Sequence, residues 1–103
     1  MQDKMDKKEI LEYFNGKFDK DISRRMRKLK EEFGELVDAF DNGNPDDFVD
    51  ELADLNAVLF HISGILGFTQ DELLDMALDK VKGREKDPNY KRKHPHVRNV
   101  GAE

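Results

Sequence analysis

Residues 31–54 read E-E-F-G-E-L-V-D-A-F-D-N-G-N-P-D-D-F-V-D-E-L-A-D. The stretch holds two acid-x-x-acid pairs, Glu32 with Glu35 and Glu51 with Asp54. Residues three apart share one face of an α-helix, with Cβ atoms about 5–6 Å apart. Between the pairs stands a turn, Asn42-Gly43-Asn44-Pro45. Two antiparallel helices flanking that turn bring four carboxylates into one small volume. Like charges so crowded need protons or a cation. Hard divalent cations such as Mg²⁺ take carboxylate oxygens and usually bring phosphates with them. The expectation is a metal site of Glu32, Glu35, Glu51 and Asp54, taking Mg²⁺ or Mn²⁺. Acid pairs at this spacing also occur on solvated helix faces. Two of them on successive helices, beside apolar stripes, weigh toward a site.

Outward from this stretch the pattern is helical throughout, with no strand signal. Toward the N-terminus, Met26, Leu29, Phe33, Leu36, Val37 and Phe40 fall on a stripe about 100° wide, expected to face the core. Glu32 borders that stripe and Glu35 lies farther round. Asp19 or Asp21 can cap this helix, and Gly43 stops it. Gly34 fits close approach by a neighbour or simple tolerance. A shorter helix is expected over 6–15, with Ile10, Leu11 and Phe14 apolar and Gly16 at its C-terminal stop. Toward the C-terminus, Asn44 caps a third helix, Pro45 opens it, and Asp46 and Asp47 suit its first turn. Its second half, L-N-A-V-L-F-H-I-S-G-I-L, is apolar nearly all round, which predicts burial on several sides and hence a homodimer or tetramer. Thr69-Gln70-Asp71-Glu72 is a capping box. It opens a fourth helix to about Lys82, with Leu73, Leu74, Ala77, Leu78 and Val81 inward.

A chain of 103 residues suits one domain. The expected division is a helical domain over 1–84 and a basic, extended or disordered tail over 85–103. There is no cysteine, so thiolate metal sites and disulfides are excluded. That fits a cytoplasmic setting. No apolar run reaches the roughly 18–20 residues of a membrane span, and no signal peptide is apparent. Residues 1–79 carry 10 basic against 20 acidic side chains, and residues 80–103 carry 8 against 3. A nucleic-acid binder is more often basic over its folded part. An acidic metal site beside basic phosphate contacts fits this balance better.

The text K-L-K-E-E-F-G-E-L-V-D-A-F, then D-E-L-A-D-L, then K-V-K-G-R resembles the MazG-like nucleotide pyrophosphohydrolases of the all-α NTP pyrophosphatase superfamily. The resemblance covers about residues 24–84. It implies an all-α, four-helix MazG-like bundle completed by homodimerisation. It also implies cleavage of a nucleoside triphosphate into monophosphate and pyrophosphate. Glu32, Glu35, Glu51 and Asp54 match the Mg²⁺-binding acids, and Glu31 the acid that often precedes them. Lys80 and Arg84 match phosphate contacts. Glu31 or Glu35 is the expected proton acceptor from the attacking water. The phosphoribosyl-ATP pyrophosphohydrolases look similar in D-E-L-A-D-L and form an alternative. A non-enzymatic helical interaction module with an acidic face is the other. The basic tail is longer than a minimal family domain needs.

Asn56 falls on the apolar side of the third helix, where a buried amide needs partners. It is a candidate contact to sugar or base, or an ordinary interhelical hydrogen bond. His61 is expected to be partly exposed at an interface. Tyr13, Phe14 and Phe18 can stack on a base, with core packing the better expectation for at least one. Lys91, Arg92, Lys93, His94 and His96 are expected to stay solvated.

Overall fold

The turn at residues 42–44 arranges the helices on either side of it. Helix α2 spans Ile22–Asp41 and α3 spans Pro45–Ile65; α1, before them, spans Lys7–Lys17. Gly43 adopts φ 68°, a left-handed conformation that glycine takes without strain. Its N–H donates to Phe40 O at 3.0 Å, and that of Asn44 donates to Ala39 O at 3.4 Å, a Schellman closure. The Asn44 side chain then accepts from the Asp47 N–H at 3.1 Å and caps α3 as expected. Below the turn the rings of Phe40 and Phe48 lie 5.9 Å apart. Farther along, Met26, Leu29 and Phe33 line one recess with Leu55 and Leu59. Falling numbers on α2 meet rising numbers on α3, so the two helices are antiparallel.

This computed structural model describes residues 5–87 and Asn89, and the chain divides into units of residues 1–62 and 63–103. In the first unit, α1 starts with a capping box between Asp6 and Glu9. It runs past Gly16, which is helical, and ends where Phe18 turns extended. The expected glycine stop is corrected here: Phe18 N–H still reaches Phe14 O at 2.8 Å, so the last turn closes without a left-handed residue. Phe14 joins α1 to α3. Its ring lies 6.0 Å from Phe60 and 5.9 Å from His61, and Asn15 Oδ1 lies 2.9 Å from His61 Nε2. Core packing is therefore the role of Phe14, while Tyr13 stays exposed.

Two expectations about burial in this unit are corrected. The covered face of α2 is Ile22, Arg25, Leu29, Glu32, Leu36 and Ala39, of which Arg25, Glu32 and Ala39 are buried. Of the expected apolar stripe, Met26, Phe33, Val37 and Phe40 are exposed. Periodicity locates the apolar arc of a helix but not which edge of that arc the chain itself covers. Here α3 meets the edge that carries Glu32. His61 is not partly exposed but fully buried at 0%. Phe14 and Phe18 stack around it, and Arg25 in turn sits 5.1 Å over the Phe18 ring. The second half of α3 is largely covered as expected, with Asn56 and Leu59 the exposed exceptions. No side chain approaches Gly34, so packing within the chain does not require glycine there.

In the second unit, α3 ends in another Schellman closure. Gly67 has φ 85°, its N–H donates to Gly64 O, and that of Phe68 donates to Ser63 O at 2.8 Å. Thr69 and Glu72 form the expected capping box of α4, Gln70–Lys86. This helix continues one turn beyond the expected Lys82, because Gly83 remains helical and Asp87 N–H closes on Gly83 O. Leu73, Leu74, Leu78 and Val81, expected inward, are exposed, as is Ala77. The half-covered row is Gln70, Glu72, Met76, Lys80 and Gly83. The described residues contain four helices and no strand, an all-α fold. Among them no single helix is long and apolar enough to cross a membrane. Tail positions Lys91, Arg92, Lys93, His94 and His96 lie outside the described residues.

Burial holds the His61 imidazole below its ordinary value of 6.5, with Arg25 and Lys20 adding repulsion. The unfolded chain then binds more protons than the native one as pH falls below about 6.5, and stability is lost down to the folded pKa. Melting temperature should fall as pH drops through about 6.5. His61→Gln should lower it at neutral pH and flatten that slope. An unchanged slope in the variant would place the pH dependence on another group.

Candidate active site

Helix α2 contributes Glu31, Glu32 and Glu35, and α3 contributes Glu51 and Asp54. One carboxylate oxygen each from Glu31, Glu32 and Glu35 can lie within 4.8 Å of the others. The same holds for Glu32, Glu51 and Asp54. The two sets share Glu32, which makes it the centre of the cluster. The short turn explains the meeting: antiparallel helices place residue 32 opposite 51 and 54.

Depth divides the acids. Glu32 is buried, at 6% exposure, and Glu51 is half-buried. Glu31, Glu35 and Asp54 are exposed around them. Glu32 Oε1 and Glu51 Oε1 are both buried without a hydrogen-bond partner. An anionic oxygen withdrawn from water with no donor costs free energy. A hard cation with a preference for carboxylate oxygens removes that cost, so the donor set fits a divalent metal. The charge of Glu32 raises the Glu35 carboxyl above its ordinary range, with desolvation, Glu51 and Glu31 adding to it. A carboxylate of raised pKa is a better proton acceptor at neutral pH than an ordinary one.

Two cations on α2 escaped the sequence reading. Lys28 places Nζ 2.7 Å from Glu31 Oε1 and 3.0 Å from Glu32 Oε2. Its i, i+3 and i, i+4 spacing to those acids was the available signal. Arg25 is buried two turns earlier on the same face, and no pattern distinguishes it from the exposed Arg24 and Arg27 beside it. Asn56 is exposed, which corrects its expected burial: it stands on the open side of α3. Lys80 and Arg84 belong to the second unit, one turn apart on α4, Lys80 half-buried and Arg84 exposed.

The sequence profile of the MazG nucleotide pyrophosphohydrolase domain matches residues 20–88, a span that includes every candidate acid and both α4 cations. A phosphoribosyl-ATP pyrophosphatase of Clostridium acetobutylicum is 28% identical over 88 residues, covering 85% of this chain and 77% of that protein. No solved structure matches at a significant level. With two thirds of its length under that profile and its acids gathered at one turn-linked helix pair, the chain belongs to the MazG nucleotide pyrophosphohydrolase family.

Proposed function

We propose that the protein hydrolyses nucleoside triphosphates, ribo or deoxy, to the monophosphate and pyrophosphate with Mg²⁺, or Mn²⁺ in its place. The observation that carries this reading is the pair of overlapping carboxylate sets with unpartnered oxygens on Glu32 and Glu51. When bound, the metal supplies positive charge against the phosphate oxygens and offsets charge developing at phosphorus. Glu32, Glu35, Glu51 and Asp54 would hold it. Glu35 or Glu31 takes the proton of the attacking water. Lys80 and Arg84 bind the departing pyrophosphate, and the exposed Asn56 contacts the sugar or base. The relative from Clostridium makes phosphoribosyl-ATP the second substrate to consider. Neither substrate asks for a nucleic-acid surface or a membrane, and the proposed setting is the cytoplasm.

The active form in this proposal is a homodimer, or a tetramer built from it. Met26, Phe33, Val37 and Phe40 on α2 and Val49, Leu52 and Leu59 on α3 are all exposed in the single chain. Some of them rim an apolar recess of about 390 Å³ lined by Met26, Leu29, Lys30, Phe33, Leu55 and Leu59. Apolar faces of this kind mark interfaces.

Pyrophosphate release over a panel of NTPs, dNTPs and phosphoribosyl-ATP tests the activity. Release from none of them sinks the enzyme reading, and release from phosphoribosyl-ATP alone moves the substrate to that class. Glu51→Gln should abolish release while keeping the fold. Mg²⁺ should raise the melting temperature of the wild type and do so less in Glu51→Gln.

Arg84→Ala should raise the apparent KM, lower kcat, or both, by about tenfold in kcat/KM if it holds a phosphate. Unchanged kinetics in a folded variant would return Arg84 to a helix-end cation.

Light scattering should give at least a dimer at micromolar concentration. Leu59→Asp should dissociate and destabilise it, because a buried unpaired charge is costly. A monomeric wild type contradicts the assembly.

A further inference from the structure

Lys28 precedes Glu31 by three residues and Glu32 by four, so all three share one helix face. Its ammonium bridges the two carboxylates at 2.7 Å and 3.0 Å. Both acids belong to the first carboxylate set, and Glu32 to the second as well. One oxygen of the buried Glu32 is thus held by a lysine, and the other by nothing. The lysine stem is flexible and its side chain is 45% exposed, so the ammonium can move into water. The carboxylate it leaves is 7% exposed and cannot. The asymmetry defines an exchangeable cation over a fixed anion.

We propose that Lys28 is the resident counter-ion of the metal-free site, and that a divalent cation must displace its ammonium from Glu32 to be fully held. The proposal rests on the cation-site reading above. A lysine ammonium is charged throughout the neutral range, so at 2.7 Å and 3.0 Å from the two carboxylates it competes there with any other cation. Lys28 therefore has two opposed effects. It spares the metal-free fold a buried, unpaired carboxylate, and it weakens metal binding. Once displaced, the charge remains tethered one turn from the site. Lys30 offers a comparison: it has the same charge on the same helix but lines the apolar recess.

The test is calorimetric titration of Mn²⁺ into the full-length wild type, Lys28→Met and Lys30→Met, with melting of each protein metal-free and metal-saturated. Lys28→Met should bind Mn²⁺ about three- to fivefold more tightly, the size of one partly exposed ion pair. Its melting temperature should drop without metal and recover with it, while Lys30→Met should change affinity less than twofold, about the noise of such a charge removal. Equal or weaker Mn²⁺ binding by Lys28→Met, or an equal gain in Lys30→Met, overturns the proposal and leaves the cation site standing. Failure of both wild type and Lys28→Met to bind Mn²⁺ overturns the cation site and the proposal together. If Lys28→Met does not fold, the Nζ resonance of Lys28 in ¹⁵N-lysine wild-type protein decides. Saturating Mg²⁺ should shift it toward a solvated ammonium, and an unmoved resonance overturns the exchange.

Discussion

The burial of Glu32 between α2 and α3 is the constraint on which the rest of this structure turns. A carboxylate at 6% exposure is among the least tolerable groups to place between two helices unless something compensates it. One oxygen is compensated by Lys28, and the other has no partner. Around it the chain adds four more acids instead of apolar cover. A protein selected for stability alone would place a leucine or alanine here, as it does one helical turn to either side at Leu29 and Leu36. The helix pair therefore carries an uncompensated carboxylate oxygen at its centre, a departure from core rules of the kind found at functional sites.

The layout of the first unit follows from that centre. At one end the turn at Gly43 closes α2 onto α3 through backbone hydrogen bonds and the contact of Phe40 with Phe48. At the other end α1 covers a second polar level, where Arg25, His61 and Asn15 are packed among Phe14, Phe18 and Phe60. Glu32 and Arg25 are seven residues apart on one face, about 10 Å along the helix. The acidic level is left open and the His61 level is sealed by α1. The acid cluster is thus flanked by packed contacts at the turn on one side and at the His61 level on the other.

Much was determined by the sequence alone. The four helices, their caps at Asn44 and Thr69 and their stops at Gly43 and Gly67 follow from local rules, since each depends on a few neighbouring residues. The gathering of the acids followed too: two i, i+3 pairs joined by a three-residue turn have only one antiparallel way to meet. The motif order was enough to indicate the family that the profile match established.

Tertiary structure decided the rest, and for a consistent reason. Periodicity gives the direction of an apolar arc but says nothing of which edge of that arc finds a partner within the chain. Only packing could leave Phe33 and Phe40 in the open while Arg25 and Glu32 went inward. Only packing could bury His61, because its neighbours Phe14 and Asn15 come from 47 and 46 residues earlier. The depth of each carboxylate, and with it the difference between Glu32 as floor and Glu35 as rim, depends on the rotation of α2 against α3. That rotation is set by many side-chain contacts summed over both helices, and no local stretch of the chain encodes it.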